Sequence, residues 1–274
     1  MGGAMRVSRA DAGFQQWEAL LRNRNKRQRA RAFLVQGVRP ITLAHEHGWR
    51  LPTLIYDAER PLSSWARAML RRAEGDTVAM APHLLRRLSD KEQEVLELVA
   101  VAEMPADDLS RITVAPSFLG VAFDRPALPG NIGTLLRSVD AFGGAGTIIT
   151  GHAADPYDPK AVRASTGSLF ALPTVRTPSP HQVLAWRDAL HAEGRRFTVI
   201  GTDENGTHDI ADLDLTAPTL LVIGNETSGL SAAWRTGCDL IARIPIGGAA
   251  SSLNAASAAT VALYEAARQR RRSG

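Results

Sequence analysis

Arg137 is the first residue of this chain whose surroundings indicate chemistry. It closes an Asn-x-Gly-x₃-Arg motif that begins at Asn131. We predict a helix over residues 131–142, with Asn131 at its N-cap and Arg137 nearly two turns further along. A lone helix arginine is usually exposed, but leucine and valine neighbours surround this one. We therefore expect a partly shielded guanidinium that needs an anionic partner.

A carboxylate stands in the second motif, Gly224-Asn-Glu226. The apolar run 219–223 before it predicts a buried strand, so Glu226 would lie in the turn that follows. A purely structural alternative is a glutamate near a helix N-terminus, where the helix dipole favours it. The glycine spacing here resembles a phosphate-binding loop, but Leu230 occupies the place of its lysine. The pattern therefore argues against an ATPase of that class.

The third motif runs from Ile244 to Asn254, near the end of the chain, and contains a loop of small residues at 247–252. A predicted strand over 240–244 precedes it, and a helix from 253 to about 272 follows, with Ser251 or Ser252 as its N-cap. Because the loop has almost no side chains, its backbone groups are accessible to a ligand. The alternative is a tight strand–turn–helix packing joint.

Basic residues concentrate in the run from Arg22 to Arg31, which holds six basic side chains in ten and no acid. Residues 1–112 carry 18 Lys and Arg against 14 Asp and Glu, whereas residues 113–274 carry 14 of each. A solvated surface loop is one interpretation of the run. Like charges at this density repel one another, so binding to a polyanion, in particular nucleic acid, is the favoured one.

Strands and helices alternate on both sides of a predicted boundary near residue 112, which indicates α/β units and, in the second, a mostly parallel sheet. The predicted domains are 1–112 and 113–274. Elements predicted in the first are helix 14–22, strand 33–36, helix 38–47, strand 51–56, helix 62–72, strand 77–80 and helix 83–101. Elements predicted in the second are strand 118–123, helix 131–142, strand 146–150, helix 181–193, strand 197–202, strand 219–223, helix 229–236, strand 240–244 and the closing helix.

Several classes of protein are disfavoured by composition. Cys238 is the only cysteine and the seven histidines are scattered, so neither a disulfide nor a metal site is expected. No apolar run approaches the roughly 20 residues of a membrane span. The first twelve residues lack the apolar segment of a signal peptide. No Gly-x-Gly-x-x-Gly follows a strand, which disfavours a nicotinamide oxidoreductase. A metal-free cytoplasmic protein is the simplest expectation.

Taken together and in this order, the three motifs resemble the SpoU/TrmH family of RNA 2′-O-ribose methyltransferases, part of the SPOUT superfamily. The stretch Arg29–Arg39 is similar to the ribosomal-protein-like (L30e-like) RNA-binding domain of that family. The stretches Phe14–Leu21, His152–Lys160 and Ser165–Phe170 resemble a group of actinobacterial enzymes. Members of that group methylate 23S rRNA and confer resistance to ribosome-targeting antibiotics such as avilamycin.

The resemblance implies a deep trefoil knot in the second domain, with S-adenosylmethionine held largely by backbone groups. It also implies a homodimer in which helices of the knot pack together. By the resemblance, the cofactor-binding residues are Thr202, Gly224, Asn225, Glu226, Ile244, Ile246, Leu253 and Asn254. The catalytic residues it implies are Arg137, Asn131, Glu226, Ser252 and Asn254.

The family assigns removal of the ribose proton to the arginine that corresponds to Arg137. A guanidinium is normally fully protonated and is a poor base, so orienting a phosphate and stabilising the developing alkoxide is the physically safer role. A tRNA substrate and a non-catalytic RNA-binding protein remain the alternatives to 23S rRNA methylation. The predicted RNA contacts are Arg22, Arg24, Lys26, Arg27, Arg29, Arg31, Arg39, Lys160 and Arg163.

Overall fold

The computed structural model describes residues 5–89 and 96–273, which form twelve strands and eleven helices. The strands are β1 (Met5–Val7), β2 (Ala32–Gln36), β3 (Thr53–Asp57), β4 (Asp76–Met80), β5 (Leu98–Glu103), β6 (Leu119–Asp124), β7 (Gly146–Thr150), β8 (Thr174–Thr177), β9 (Thr198–Thr202), β10 (His208–Asp209), β11 (Thr219–Ile223) and β12 (Leu240–Arg243). The helices are α1 (Ala12–Arg22), α2 (Arg24–Ala30), α3 (Val38–Glu46), α4 (Ser64–Arg71), α5 (Pro82–Arg87), α6 (Pro129–Ala141), α7 (Pro159–Ala164), α8 (Ser168–Ala171), α9 (Pro180–Ala192), α10 (Ala232–Gly237) and α11 (Ala255–Ser273). Short 3₁₀ turns lie at Leu109–Arg111 and Ile210–Asp212.

The chain divides into two units, and the division is not a single cut. The first unit holds Met1–Pro105 together with Asp155–Ala171, and the second holds Ala106–Ala154 and Leu172–Gly274. This differs from the predicted division into 1–112 and 113–274, because Asp155–Ala171 lies with the first unit.

Buried contacts hold the segment Asp155–Ala171 in the first unit. Arg27 of α2 is only 2 % exposed and forms an ion pair of 2.8 Å with Asp155, which is 3 % exposed. The ring of Tyr157 lies 4.8 Å from the ring of Phe33 in β2, measured between centroids. A buried charge requires a partner, so the segment and α2 depend on each other.

The first unit contains a mixed five-stranded sheet in the order β1-β4-β3-β5-β2. The interior strand β5 pairs antiparallel with both β3 and β2. The helix predicted over 83–101 is therefore wrong at residues 98–101; α5 covers its start, and residues 90–95 lie outside the described residues. The β-branched Val99 and Val101 favour an extended backbone, and strand partners from distant parts of the chain secure it.

The basic run of the first unit is largely helical. Asn23 caps α2 by accepting a hydrogen bond of 3.1 Å from the Lys26 amide, and Arg31 ends the helix in a left-handed conformation with φ 49°. The solvated-loop interpretation of this run is therefore wrong in its local structure. One face of α2 turns Arg27 inward, while its other basic side chains remain exposed.

The second unit contains seven strands in the order β10-β12-β9-β11-β6-β7-β8, and every pair is parallel. This confirms the predicted α/β class and the parallel sheet. In the register of the sheet, Ile223 at the end of β11 lies beside Thr202 on β9 and Phe123 on β6. The carboxyl ends of these three strands therefore meet at one edge, where parallel sheets place their binding sites.

Helices α6 and α11 pack against each other in the second unit. The buried face of α11 consists mostly of alanines, which allow the two helix backbones a close approach. Across the contact, Ser138 and Thr260 share a hydrogen bond of 2.7 Å between their hydroxyls. The deep trefoil knot stays a prediction.

Candidate active site

A cavity of about 410 Å³ opens at the carboxyl ends of β9 and β11. It brings the second and third sequence motifs together, although about twenty residues separate Glu226 from the loop 247–252. Asn131, Arg137 and Asn254 lie outside its lining. The predicted site residues that do line it are Thr202, Gly224, Asn225, Glu226, Ile244, Ile246, Ser252 and Leu253.

A series of hydrogen bonds joins all three motifs beside this cavity. Asn131 donates from Nδ2 to Glu226 Oε1 at 2.8 Å, and it accepts at Oδ1 from Asn254 Nδ2 at 3.2 Å. The prediction that Asn131 is an N-cap is wrong, because α6 begins at Pro129 and Asn131 lies in its first turn. Its side chain is thereby free to bridge Glu226 and Asn254.

Glu226 is ionised in this setting. Partial burial raises the pKa of its carboxyl, but hydrogen bonds from the Ala127 amide and from Asn131 outweigh that effect, so the pKa lies below its ordinary value. The Ala127 amide donates to Oε2 at 3.0 Å, at the loop that leads into α6. Two donors aimed at one carboxylate leave a fixed negative charge at the cavity wall.

The turn that carries Glu226 is closed by a pair of backbone hydrogen bonds between Asn225 and Gly229, at 3.0 and 3.1 Å. A Cβ added at Gly224 would lie 2.6 Å from the carbonyl carbon of Gly229. Only glycine fits there, because that contact is with backbone, which has nowhere to move. Glu226 thus lies in a β-like turn and not at the N-terminus of α10, which begins at Ala232.

Asn254 is the residue that caps α11. Its Oδ1 accepts from the amides of Ala256 at 3.0 Å and Ser257 at 3.3 Å. The prediction that Ser251 or Ser252 caps this helix is therefore wrong. Both serines are exposed and line the cavity instead.

Arg137 is exposed and makes no hydrogen bond or ion pair with any residue of the described ranges. The expected shielding is wrong, because its leucine and valine neighbours face the opposite side of α6 and are buried. An exposed guanidinium without an internal partner remains available to an external anion.

Known protein families account for both units of the chain. A model of the SpoU rRNA methylase family matches residues 119–264, and a model of the SpoU L30e-like domain matches residues 11–100. The 23S rRNA (uridine(2479)-2′-O)-methyltransferase of Streptomyces viridochromogenes is 60% identical over 267 residues, which covers 97% of this chain and 93% of the relative. This chain belongs to the SpoU rRNA methylase family. The resemblance predicted from the three motifs is confirmed.

Solved structures of SpoU-type enzymes share the fold. The SpoU methyltransferase AviRb from Streptomyces viridochromogenes, in complex with the cofactor AdoMet, has a TM-score of 0.92 at 61% identity and covers 95% of this chain and 98% of that one. The AdoMet-bound rRNA methyltransferase from Sinorhizobium meliloti has a TM-score of 0.85 at 28% identity, over 97% of this chain and 98% of that one.

The predicted RNA-binding residues of this SpoU-family chain all lie in the first unit, and Arg27 differs from the others. Its burial against Asp155 removes Arg27 from the predicted RNA-binding set. Arg31 and Arg39 direct guanidinium groups at backbone carbonyls of the same unit. The exposed members of the predicted set are Arg22, Arg24, Lys26, Arg29, Arg31, Arg39, Lys160 and Arg163.

Three charged residues of the cavity lining escaped the sequence analysis: Asp203, Glu204 and Arg235. Arg235 Nη2 forms an ion pair of 2.6 Å with Asp203 Oδ2. A signal was present for the acids, since they follow the predicted strand 197–202 directly. Nothing local marked Arg235, which α10 brings to the cavity.

Neither a membrane span nor a metal site is found in the described part of the chain. None of its helices is both long enough and apolar enough to cross a membrane. Within the same ranges, no three His, Cys, Asp or Glu side chains are grouped so that they could hold a metal ion.

Proposed function

We propose that this chain transfers a methyl group from S-adenosylmethionine to a ribose 2′-hydroxyl of 23S rRNA. The observation that carries the proposal is the hydrogen-bonded series Glu226–Asn131–Asn254, which joins the three motifs at the edge of the cavity. Two comparisons support it: the 60% identical relative is named for this reaction on 23S rRNA, and the similar AviRb structure holds AdoMet.

The cavity suits a ligand of this kind. Its volume of about 410 Å³ falls within the range of roughly 300–1,000 Å³ that small-molecule sites occupy. Gly224 lines the cavity without a side chain, so its backbone groups are available to the edge of a purine, and Ile244 with Leu253 offers apolar contact to the purine faces. Beside the Asp203–Arg235 ion pair, the wall carries Glu204 and Glu226, and their negative charge favours a cationic ligand.

S-adenosylmethionine supplies an electrophilic methyl group on a positively charged sulfur. In the transfer the ribose oxygen would bond the methyl carbon, the sulfur would keep the electron pair of the broken carbon–sulfur bond and become a neutral thioether, and the 2′-hydroxyl proton would pass to solvent water. Asn131, Glu226 and Asn254 hold the helix α6 and the start of α11 in register with the cavity. Ser252 offers an exposed hydroxyl at the cavity wall for hydrogen bonding to the ribose.

Arg137 binds the phosphate beside the target ribose in this proposal and stabilises the alkoxide that develops there. A guanidinium remains protonated in proteins, so electrostatic stabilisation is a better role for it than accepting a proton. Its exposure and lack of an internal partner in the described ranges leave both of its donor edges available to RNA.

Two copies of the chain associate through α6 and α11 in this proposal. Leu128, directly before α6, is 56% exposed, and on α11 Val261 is 39% and Tyr264 50% exposed. Large apolar side chains grouped in this way mark an interaction surface. Light scattering is expected to show a dimer for the natural chain and a monomer for Tyr264→Glu. A monomeric natural chain at micromolar concentration would refute this part.

The exposed basic residues of the first unit hold the RNA, chiefly through its phosphates and shape. The substrate places the enzyme in the cytoplasm with the ribosomes. By analogy with the group it resembles, methylation confers resistance to a ribosome-targeting antibiotic. Expression in a susceptible host is expected to raise the inhibitory concentration of such a drug, and expression of Arg137→Ala is not.

Mass-spectrometric mapping tests the function directly. The protein is incubated with S-adenosylmethionine and either 23S rRNA or bulk tRNA, and each RNA is digested and searched for 2′-O-methyl nucleotides. One new methyl ribose in 23S rRNA and none in tRNA is the expected result. A new methyl group in tRNA alone would show that the substrate is tRNA and not 23S rRNA. If neither RNA gains a methyl group and calorimetry detects no cofactor binding, the proposal that this chain is a methyltransferase is overturned.

A further inference from the structure

Arg125 adopts an unusual backbone conformation directly after β6. Its φ is +50°, in the left-handed region that long side chains rarely occupy. The backbone amide of Arg125 still donates to the Thr150 carbonyl at 2.9 Å, so the strand pairing continues up to this point. A strained residue beside a functional site is a reason to ask what the strain achieves.

Arg125 contacts the turn Asn225–Gly229 through two groups, its backbone carbonyl and its guanidinium. The Arg125 carbonyl accepts a hydrogen bond of 2.7 Å from Asn225 Nδ2 at the start of the turn. Its guanidinium donates from Nη2 to the Gly229 carbonyl at 2.9 Å, at the end of the turn. The left-handed backbone brings the carbonyl and the side chain of one residue to the same turn.

The guanidinium is itself held in place by Asp124. Arg125 Nη2 lies 3.1 Å from Asp124 Oδ2, and the Asp124 side chain is completely buried. The same carboxylate accepts hydrogen bonds from the Thr150 hydroxyl at 3.1 Å and the Ser231 amide at 2.8 Å. The Arg125 side chain, which is 33% exposed, is therefore fixed between the buried carboxylate of Asp124 and the carbonyl of Gly229 in the turn.

Gly151 leaves the space that this arrangement needs. A Cβ at Gly151 would lie 2.8 Å from Cγ of Arg125. The turn held in this way lines the cavity from residue 224 to residue 229 and carries Glu226, the acceptor of the Asn131 hydrogen bond.

We propose that Arg125 is a positioning residue that fixes the Asn225–Gly229 turn in the form that binds the methyl donor and presents Glu226 to Asn131. The proposal rests on the proposed function. The strained left-handed backbone of Arg125 is then the condition for shaping the cavity. A glycine lacks the guanidinium, and a residue with another backbone conformation could not hold both ends of the turn.

Three substitutions separate the strain from the side chain. Arg125→Gly removes the guanidinium and relieves the backbone, Arg125→Ala removes the guanidinium and keeps the backbone cost, and Arg125→Lys keeps the charge but not the forked donor. Arg187→Ala is the matched control. Arg187 also donates to a backbone carbonyl, of Gly237 at 2.9 Å, and pairs with an aspartate, but it lies outside the cavity lining.

For each variant we would measure the cofactor affinity by calorimetry, kcat at saturating cofactor, and Tm. The affinity and kcat are measured at a temperature well below the Tm of that variant. We expect Arg125→Gly and Arg125→Ala to weaken S-adenosylmethionine binding about tenfold, the effect of one lost charge-assisted hydrogen bond, and to lower kcat. Arg125→Gly should have the higher Tm of the two, and Arg125→Lys should lie between them and the natural chain in affinity.

Arg187→Ala is expected to lower Tm while both its affinity and its kcat stay within about twofold of the natural chain. If Arg125→Gly and Arg125→Ala also change Tm alone, with affinity and kcat within about twofold, Arg125 is merely structural and the proposal is overturned. Failure of the natural chain itself to bind the cofactor would instead overturn the proposed function.

Discussion

The side-chain amide of Asn131 lies 2.8 Å from the carboxylate of Glu226, so two residues 95 positions apart in the chain share one hydrogen bond. It connects the first turn of α6 with the turn after β11. The same asparagine accepts from Asn254, the cap of α11. Whatever displaces Asn131 therefore disturbs both helices and the cavity wall together.

Asn131 and Glu226 should prove to be energetically coupled in catalysis. We expect Asn131→Ala and Glu226→Ala each to lower kcat/KM, and the double variant to lose about 1.5–3 kcal/mol less transition-state stabilisation than the sum of the two, as for a hydrogen bond to a charged group. Methyl transfer to rRNA is the measurement. Ser138→Ala is the control, since Ser138 lies on α6 like Asn131 but its hydroxyl bonds Thr260 of α11, and neither residue lines the cavity. Additive losses would contradict the coupling.

The carboxylate of Glu226 should remain ionised throughout the neutral range. Burial raises its pKa, but the hydrogen bonds from Ala127 and Asn131 lower it further, below the ordinary value of 4.5. Such a group stabilises the fold fully above the unfolded pKa and loses that contribution as pH falls through the folded one. The Tm difference between the natural chain and Glu226→Gln should thus stay constant from about pH 8 to about pH 5.5 and shrink only below about pH 4.5.

Scanning fluorimetry over that pH range measures this difference. Arg195→Gln, on an exposed surface pair with Glu193, controls for general acid destabilisation. If the natural chain instead gained stability relative to Glu226→Gln as the pH falls from about 7 to 6, the pKa of Glu226 would be raised and the prediction would be wrong.

Arg137→Ala should abolish methyl transfer and leave cofactor affinity unchanged, because Arg137 lies outside the cavity lining. Loss of one preorganised donor to a developing oxyanion lowers kcat by roughly 10²–10³-fold. Arg137→Lys should recover part of the activity by keeping the charge without the fork. Single-turnover rates and calorimetry provide the two readings. A variant with normal kcat would remove Arg137 from the mechanism.

Arg27 and Arg29 should behave in opposite ways although both belong to α2. Arg27→Ala leaves Asp155 buried without its partner, so we expect about 3–5 kcal/mol of destabilisation. Arg29 is exposed, so Arg29→Ala should change the free energy of unfolding by no more than about 0.5 kcal/mol. It should weaken RNA binding and reduce the slope of log K against log salt concentration by about one. Denaturant unfolding and RNA titration at several salt concentrations distinguish them. Equal effects of the two on stability would contradict the buried ion pair.

Local pattern in the sequence predicted five of the seven strands of the second unit, but not β8 or β10. The predicted strand 219–223 has the same bounds as β11, since Thr219 and the four apolar residues after it suit a strand buried on both faces. Eight predicted residues line the cavity because motifs at the carboxyl ends of parallel strands meet at one edge of the sheet. Periodicity and motif order were sufficient there.

Tertiary structure alone decided the partners of individual side chains. Arg27 belongs to a basic run, yet it is buried because Asp155, 128 positions away, lies against α2. Residues 98–101 form β5 and not a helix, since β2 and β3 supply hydrogen bonds that no local window contains. Asn254, and not a nearby serine, caps α11, and it also reaches Asn131 on α6. Each outcome depends on burial or pairing between residues far apart in the chain, which short-range propensity does not contain.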